Sequence, residues 1–288
     1  MKSKCESESE SKSKPNWLEL PIDLTKNILQ RLDTIDILTS ARNVCPLWWN
    51  ICKDPLMWRT IRICHIYHIP LIDILCFETL YLSASDICCF EPLCRSAIDL
   101  SCGHLEDLDL ELLGCDELLE YIAPRAINLH RLRLFYCLKV SNKCLIEFVT
   151  KFSLLEKLVI TFNDKFPKES FEVINRCCPL LKSLDFVRPT LFYINRDHLV
   201  FAIAKAMPGL HHLTFVGIVI NNAALVTILD GCSMLQSLDL QLCLCDDLSQ
   251  SLEKRCLEQI KDFRFPLNHV SDFFDEDNFC DLFNVSSV

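Results

Sequence analysis

The side chains of this sequence that are best suited to chemistry are its 19 cysteines and eight histidines. Four of them, Cys64, His65, His68 and Cys76, lie close enough together in the sequence to form a zinc site. Their spacing matches no common zinc finger, and a second, well-spaced pair of ligands is lacking. We therefore predict neither a metal site nor any other cofactor.

Nucleophilic catalysis and phosphate binding are equally unsupported. The histidines are scattered, and His211 and His212 fall on opposite faces of one predicted strand. No Ser/His/Asp or Cys/His set has the motif context of a catalytic site. Neither Gly-x-Gly-x-x-Gly nor Gly-Lys-Ser/Thr occurs, and five glycines leave little room for a loop that cradles phosphate. We predict a protein that is not an enzyme.

The cysteines are better explained as reduced core residues than as disulfides. The chain has 288 residues, the cysteine count is odd, and residues 1–14 are rich in Lys, Ser and Glu rather than apolar like a secretory signal. Many cysteines also recur at fixed positions of the repeat described below. We interpret them as small apolar fillers in an intracellular protein of the nucleus and/or cytoplasm.

Charge and hydropathy argue against two further kinds of partner. A formal net charge of −10, with no basic stripe, is unfavourable for binding nucleic acid. The window Ala206–Leu229 carries no formal charge and is long enough to span a bilayer. It also contains Pro208 and Gly209 and a full copy of the repeat, so a strand, a turn and a helix explain it better. We predict no membrane segment.

A repeated phrase, Leu-x-x-Leu-x-apolar, organises the chain. Its copies begin at Leu105, Leu129, Leu155, Leu181, Leu210, Leu235 and, in degenerate form, Ile260. The intervals between these positions are 24, 26, 26, 29, 25 and 25 residues, which is the leucine-rich-repeat period. Each unit should contribute one short strand and one helix. The predicted fold class is therefore an α/β solenoid with parallel strands inside and helices outside.

The rest of the chain divides around this solenoid, which we place at residues 63–266. Residues 1–14 should be a disordered tail, and residues 267–288 an acidic C-terminal tail. The first repeat unit is irregular, and we expect two separate helices in it, at 77–82 and 93–100, with Pro92 between them.

The segment at 15–62 has the pattern of three short helices followed by a strand. Leu24, Ile28 and Leu32 form an apolar stripe four residues apart, a second helix starts near Thr34, and Pro46 suits the start of a third. Such a segment is too short to close a core of its own. Its large apolar side chains therefore predict either a surface for a partner or a helical cap that packs on the solenoid.

The order of residues in this segment resembles an F-box. The resemblance is carried by Leu20-Pro21, then Ile28-Leu29, Leu32, Val44-Cys45 and Trp48, with Pro46 at a position where the family usually has a basic residue. With the repeats that follow, the chain resembles the small plant F-box/leucine-rich-repeat proteins. The resemblance implies docking on Skp1. By position, the implied docking residues are Leu18, Leu20, Pro21, Leu24, Ile28, Leu29, Leu32, Ile37, Leu38, Val44, Cys45 and Trp48.

The same resemblance implies a function. F-box proteins of this kind join a protein substrate, through Skp1, to a cullin and a RING protein, so the chain is expected to be a non-catalytic receptor subunit of a ubiquitin ligase. The alternative is a ligase-independent repeat scaffold or sensor whose N-terminal helices only cap the solenoid.

Strand alternation predicts which residues form the concave face. The candidates for substrate binding are Asp107, Asp109, Glu111, Arg131, Arg133, Phe135, Lys157, Val159, Asp185, Val187, His212 and Asp239. Parallel pairing places Asp107 beside Arg131, and Asp109 beside Arg133. These charges are explained equally well by recognition of a target and by simple cross-strand pairing. Phe135 and Val187, as apolar residues on an open face, favour recognition.

Overall fold

The structure is a computed structural model that describes residues 20–63, 84–161, 166–188, 194–245 and 248–267. Several predictions concern residues outside these ranges. They are the tail at 1–14, Leu18, the four candidate zinc ligands, the helix at 77–82 and the acidic tail after residue 267. Within the described ranges, no group of three or more His, Cys, Asp or Glu side chains could hold a metal ion.

The N-terminal unit contains the three predicted helices. These are α1 (Ile22–Leu29), α2 (Thr34–Thr39) and α3 (Pro46–Ile51), with single 3-10 turns at Ala41–Asn43 and Pro55–Trp58. Asp33 caps α2 by accepting a hydrogen bond from the Ile35 N–H at 2.8 Å. Pro46 occupies the first turn of α3, where its missing N–H leaves no bond unmade.

The remaining helices alternate with parallel strands. The helices are α4 (Ala84–Leu100), α5 (Asp116–Ile122), α6 (Asn142–Val149), α7 (Ser170–Cys177), α8 (Asp197–Ala206), α9 (Asn222–Gly231) and α10 (Gln250–Gln259). The strands are β1 (Thr60–Ile63), β2 (Asp107–Glu111), β3 (Arg131–Phe135), β4 (Lys157–Thr161), β5 (Ser183–Val187), β6 (Ile194–Asn195), β7 (His212–Val219), β8 (Ser237–Leu244) and β9 (Asp262–Arg264).

These strands form one parallel sheet in the order β1-β2-β3-β4-β5-β7-β8-β9, with the two-residue β6 paired to β7. The leucines of each phrase, such as Leu108 and Leu110, are fully buried in the main core, and the buried sides of the helices belong to the same core. The predicted solenoid is therefore confirmed. So is the interpretation of Ala206–Leu229, which contains β7 and most of α9. No helix in the described part of the chain is both long and apolar enough to cross a membrane.

The first repeat unit differs from its prediction. Instead of a helix that begins after Pro92, a single helix, α4, runs from Ala84 to Leu100 with Pro92 inside it. Proline removes one N–H from the helical ladder but does not forbid the helix when neighbouring turns and packing support it. The buried side chains of Cys94, Ala97 and Ile98 supply that packing.

The N-terminal unit and the repeats share one core. β1 is the first strand of the sheet, and Trp58, two residues before it, is buried and donates from Nε1 to the Cys52 carbonyl at 2.9 Å. At the outer side of β1, the Arg62 N–H donates to the hydroxyl of Thr34 at 3.0 Å. An edge strand with free backbone groups invites pairing with other chains. Thr34 closes part of that edge with a side chain from α2.

Several cysteines contribute a hydrogen bond between successive repeats. The thiol of Cys137 donates to the Leu110 carbonyl at 3.5 Å, that of Cys178 to Val149 at 3.4 Å, and that of Cys243 to Phe215 at 3.1 Å. Each acceptor lies one repeat earlier in the chain. These three cysteines are free. They are small and buried as predicted, and each thiol also gives its acceptor carbonyl a hydrogen-bond partner.

Gly217 marks an irregularity in the sheet. Its φ of 77° lies in the left-handed region, and a Cβ at this position would meet the Arg188 carbonyl oxygen at 2.5 Å. The register of β7 with β8 shifts on both sides of Val216, next to it. Only glycine combines this backbone conformation with such a close approach.

We therefore expect Gly217→Ala to lower the free energy of unfolding by at least about 2 kcal/mol, through backbone strain and the clash with Arg188. Gly209→Ala is the matched control, because nothing lies within 4 Å of its Cβ position and its φ is not positive. Urea unfolding of both variants measures the difference. Equal midpoints for the two variants would contradict the account of the β7 irregularity.

The buried thiols should also be unreactive. Burial raises the pKa of Cys94 and of Cys178 to about 12, and it raises the pKa of Cys137 and Cys243 as well. Because the thiolate is the reactive species, iodoacetamide at pH 8 should modify exposed Cys102 at least about 100-fold faster than these four. Site-resolved mass spectrometry measures the rates. Labelling in urea, where all sites should react alike, is the control, and similar rates in the native protein would refute the prediction.

Candidate functional site

Two surfaces were predicted to bind partners, and the first is formed by the N-terminal helices. Leu24 and Ile28 lie one turn apart on the outer side of α1, and Leu32 follows the helix; all three are exposed. Pro21 and Val44 are exposed too. These residues remain available to a partner in the folded chain.

Other predicted docking residues of this unit are less accessible. Leu20, Cys45 and Trp48 are partly buried. Leu29, Ile37 and Leu38 are buried in this chain's own core, so they present no surface to a partner. Their assignment as contact residues is corrected to a structural role. On α1, spacing by four residues produces two parallel stripes, and Leu29 belongs to the inner one, together with the buried Thr25.

The sequence prediction also missed exposed apolar residues. Ile22 and Leu56 are exposed, and so is Trp49, whose ring lies 5.5 Å from the Arg42 guanidinium carbon and 5.2 Å from Lys53 Nζ. Trp49 follows Trp48 directly in a helix, so the two side chains point in different directions. Helical periodicity could therefore have indicated that Trp49 is exposed. We call Ile22, Leu24, Ile28, Leu32, Val44 and Trp49 the apolar F-box surface.

An ion pair holds this surface in place relative to the repeats. Lys26, in the middle of α1, donates to Asp54 Oδ2 at 2.6 Å, and Asp54 in turn accepts from the Leu56 N–H. The hydrogen bond from Lys26 is the largest of the effects that lower the pKa of the Asp54 carboxyl. Because Asp54 starts the turn that leads into β1, the pair connects α1 to the first strand.

The second predicted surface is the concave side of the sheet, and its register is as predicted. Asp107 pairs with Arg131 and Asp109 with Arg133 across β2 and β3. Arg133 Nη1 lies 2.8 Å from Asp109 Oδ1, and Arg133 Nη2 lies 3.7 Å from Glu111 Oε1. The Arg133 guanidinium also stacks over the Phe135 ring, with its carbon 4.2 Å from the ring centroid. Arg133 is thus held by the sheet itself.

Much of the concave side is buried. Asp109, Glu111 and Asp185 are almost inaccessible, and so are the three predicted apolar contacts, Phe135, Val159 and Val187. The apolar three pack along the strand ends in a second core with four others: Val216, Leu242, Leu244 and Leu267. The expectation of apolar residues on an open face was wrong. Alternation shows which face a side chain occupies, but it does not show whether that face is covered.

Burial changes the electrostatics of the acidic residues. Desolvation raises the pKa of Asp107, against the opposing charges of Arg62 and Arg131, and it raises the pKa of Asp185 against Lys157. Lys157 Nζ lies 3.7 Å from Asp185 Oδ2, and Arg264 Nη1 lies 3.3 Å from Asp239 Oδ2. Cross-strand pairing therefore accounts for the buried charges.

The accessible charges lie at the ends where the strands begin. Arg131 and His212 are exposed, and Asp107, Lys157 and Asp239 are partly so. His211, predicted to lie on the opposite face of the strand from His212, is partly exposed at the bend before β7, because both variable positions after the first leucine of the phrase turn away from the core. The same geometry makes His130 and Lys182 accessible to solvent, and the sequence analysis did not include either of them among the candidate binding residues.

Comparison with known proteins assigns the family. The F-box domain family matches residues 17–60. The chain is 38% identical over 254 residues to F-box/LRR-repeat protein 23 of Arabidopsis thaliana, where LRR stands for leucine-rich repeat; the match covers 87% of this chain and 53% of that protein, so the chain spans about half of its length. It is 37% identical over 262 residues to F-box/LRR-repeat protein 22 of the same plant, covering 90% of this chain and 79% of the relative.

Among solved structures, the leucine-rich repeat-containing protein LegL7 from Legionella pneumophila aligns with a TM-score of 0.43 and 15% sequence identity, over 62% of each chain. The repeat architecture of this protein is established by its own parallel strands. Together with the F-box match at its start and its similarity to the Arabidopsis relatives, this architecture shows that the chain belongs to the plant F-box/leucine-rich-repeat protein family.

Proposed function

We propose that this chain is the substrate-recognition subunit of a Skp1–cullin–F-box (SCF) ubiquitin ligase, in which the F-box docks Skp1 and the repeats bind a protein substrate. The observation that carries the proposal is the apolar F-box surface, which the folded chain leaves uncovered. Exposed sets of large apolar side chains are typical of surfaces that a partner covers. Through Skp1, the chain would join cullin and RING subunits.

In this proposal the chain carries out no chemical step. It holds a substrate beside the ubiquitin-transfer machinery, and this raises the effective concentration of the substrate lysine. Such a role requires two separate surfaces on one stiff body. The shared core of the F-box and the repeats provides the stiffness, because no flexible linker separates α3 from β1.

A second candidate function is a ligase-independent repeat scaffold or sensor that uses the N-terminal helices only as a cap. A specific observation favours it, namely that Thr34 covers the edge of β1 and Trp58 fills the end of the core. A solenoid needs such a cap at its ends. Capping does not use the apolar F-box surface, however, and this difference separates the two candidates.

Substitutions on the apolar F-box surface test the first candidate. We expect Leu24→Asp together with Val44→Asp to weaken binding of a recombinant Skp1 at least tenfold, because two apolar contacts are replaced by charges that the complex would have to desolvate. The folded chain should lose less than about 0.5 kcal/mol of stability, since both positions face solvent. Leu257→Asp, on the outer side of α10, is the matched control, because the three side chains are between 54% and 64% exposed.

The measurement is co-expression of the full chain with Skp1, followed by size-exclusion chromatography, titration calorimetry and thermal unfolding. A wild-type chain that folds and elutes without Skp1 would refute the ligase function and leave the scaffold. A double variant that unfolds, while the control does not, would identify the surface as part of a cap.

A further inference from the structure

A basic rim lies where the middle strands of the sheet begin. Arg131, Lys157, Ser183 and His212 occupy matching positions on the neighbouring strands β3, β4, β5 and β7. The residues directly before them are His130, Glu156, Lys182 and His211, joined from strand to strand by backbone hydrogen bonds of 2.8–2.9 Å. We define the basic rim as His130, Arg131, Lys157, Lys182, His211 and His212. The basic rim therefore differs in sign from the protein as a whole, whose net charge is −10.

Two cations of the rim lie side by side on neighbouring strands. Arg131 and Lys157 are register partners, so two cations lie on adjacent strands about 4.8 Å apart, an arrangement that destabilises a sheet. Each is attracted away from the other, since Arg131 lies 3.6 Å from Asp107 and Lys157 lies 3.7 Å from Asp185. The like charges are thus compensated by acids on the two outer strands, and the arrangement leaves two cations side by side on the surface.

The cations are also the outermost groups of these pairs. The side chain of Arg131 is 66% exposed and that of Asp107 18%, while the values for Lys157 and Asp185 are 31% and 6%. In these two pairs the acid is the deeper group and the cation the outer one, whereas Glu156, which is 51% exposed and lies 3.5 Å from His130 Nδ1, is an acid at the rim itself. Lys182 and His212 are exposed and form no ion pair with any residue that the structure describes. A ligand that approaches at Arg131 or Lys157 therefore meets the cation before the acid paired with it.

We propose that the basic rim binds an acidic, extended segment of a protein substrate. This inference rests on the proposed substrate-receptor function and specifies the class of substrate. From Arg131 to His212 the rim crosses three strand gaps, about 14 Å, which matches roughly five residues of extended peptide. Asp107 on β2 and Asp262 on β9 are acidic positions on either side, so the acidic stretch of the ligand should be short. The chain's negative charge elsewhere disfavours a long polyanion such as nucleic acid.

The test uses the full chain and a fluorescein-labelled nine-residue peptide with Glu at alternating positions, measured by fluorescence anisotropy at about 50 mM salt, where surface charges are weakly screened. We expect Arg131→Gln with Lys182→Gln to raise the Kd at least tenfold. Lys143→Gln with Lys254→Gln is the control, because it removes two exposed cations from helices α6 and α10. Both double variants then have the same net charge of −12 (−10 minus 2). The control should change the Kd less than twofold.

Several outcomes would overturn the assignment. Equal losses in both double variants would show a general charge effect, and no binding of the wild type at 1 mM protein or equal binding of a Gln-for-Glu peptide would exclude acidic recognition. A nine-nucleotide single-stranded DNA that binds as tightly as the Glu peptide would identify a polyanion site instead. Skp1 binding is measured on the same three proteins: its absence in the wild type would refute the ligase function, whereas the anisotropy data decide the rim separately.

Discussion

The register of the parallel strands is the constraint on which the rest of this structure depends. Burial of both leucines in each phrase fixes which residues of successive strands lie side by side, because a slip of one residue would move the leucines to the opposite face. Leu108 therefore pairs with Leu132, and Leu132 with Leu158, in one uninterrupted core. The positions of all concave side chains follow from this alignment.

The charges on the concave side show how the constraint produces two different environments on one face. Near the strand ends, the second core of Phe135, Val187 and their neighbours excludes water, and the largely buried Arg133 guanidinium is the counter-charge of Asp109 and Glu111. A buried pair of this kind mainly avoids the penalty of an unpaired charge and adds little net stability. Where the strands begin, solvent reaches the side chains, and the same register places Arg131 beside Lys157. Only this second environment can exchange water for a ligand.

Most of the architecture could be predicted from the phrase, because its period fixes both the strand and the side of the strand that faces the core. The pairing of Asp107 with Arg131 was predicted correctly by aligning the phrases of two successive repeats. The burial of Phe135 and Val159 did not, since periodicity assigns a face and cannot show what covers it. Similarly, a spacing of four residues identified both Leu24 and Leu29, although only the former is exposed. The single helix α4 was missed because Pro92 was taken as a break, and tertiary packing overrode the local preference.

The joint between the F-box and the sheet links the two proposed surfaces mechanically. Trp58 and the ion pair of Lys26 with Asp54 fix α1 to the end of β1, and the core continues without interruption from Leu29 to Ile260. Close-packed protein interiors transmit displacement rather than absorb it. The basic rim begins only two strand spacings from β1, about 10 Å across the sheet. A partner on the apolar F-box surface and an acidic segment on the rim would thus be held at a nearly constant separation. A receptor needs this property if proximity is to place the same substrate region at the transfer site each time.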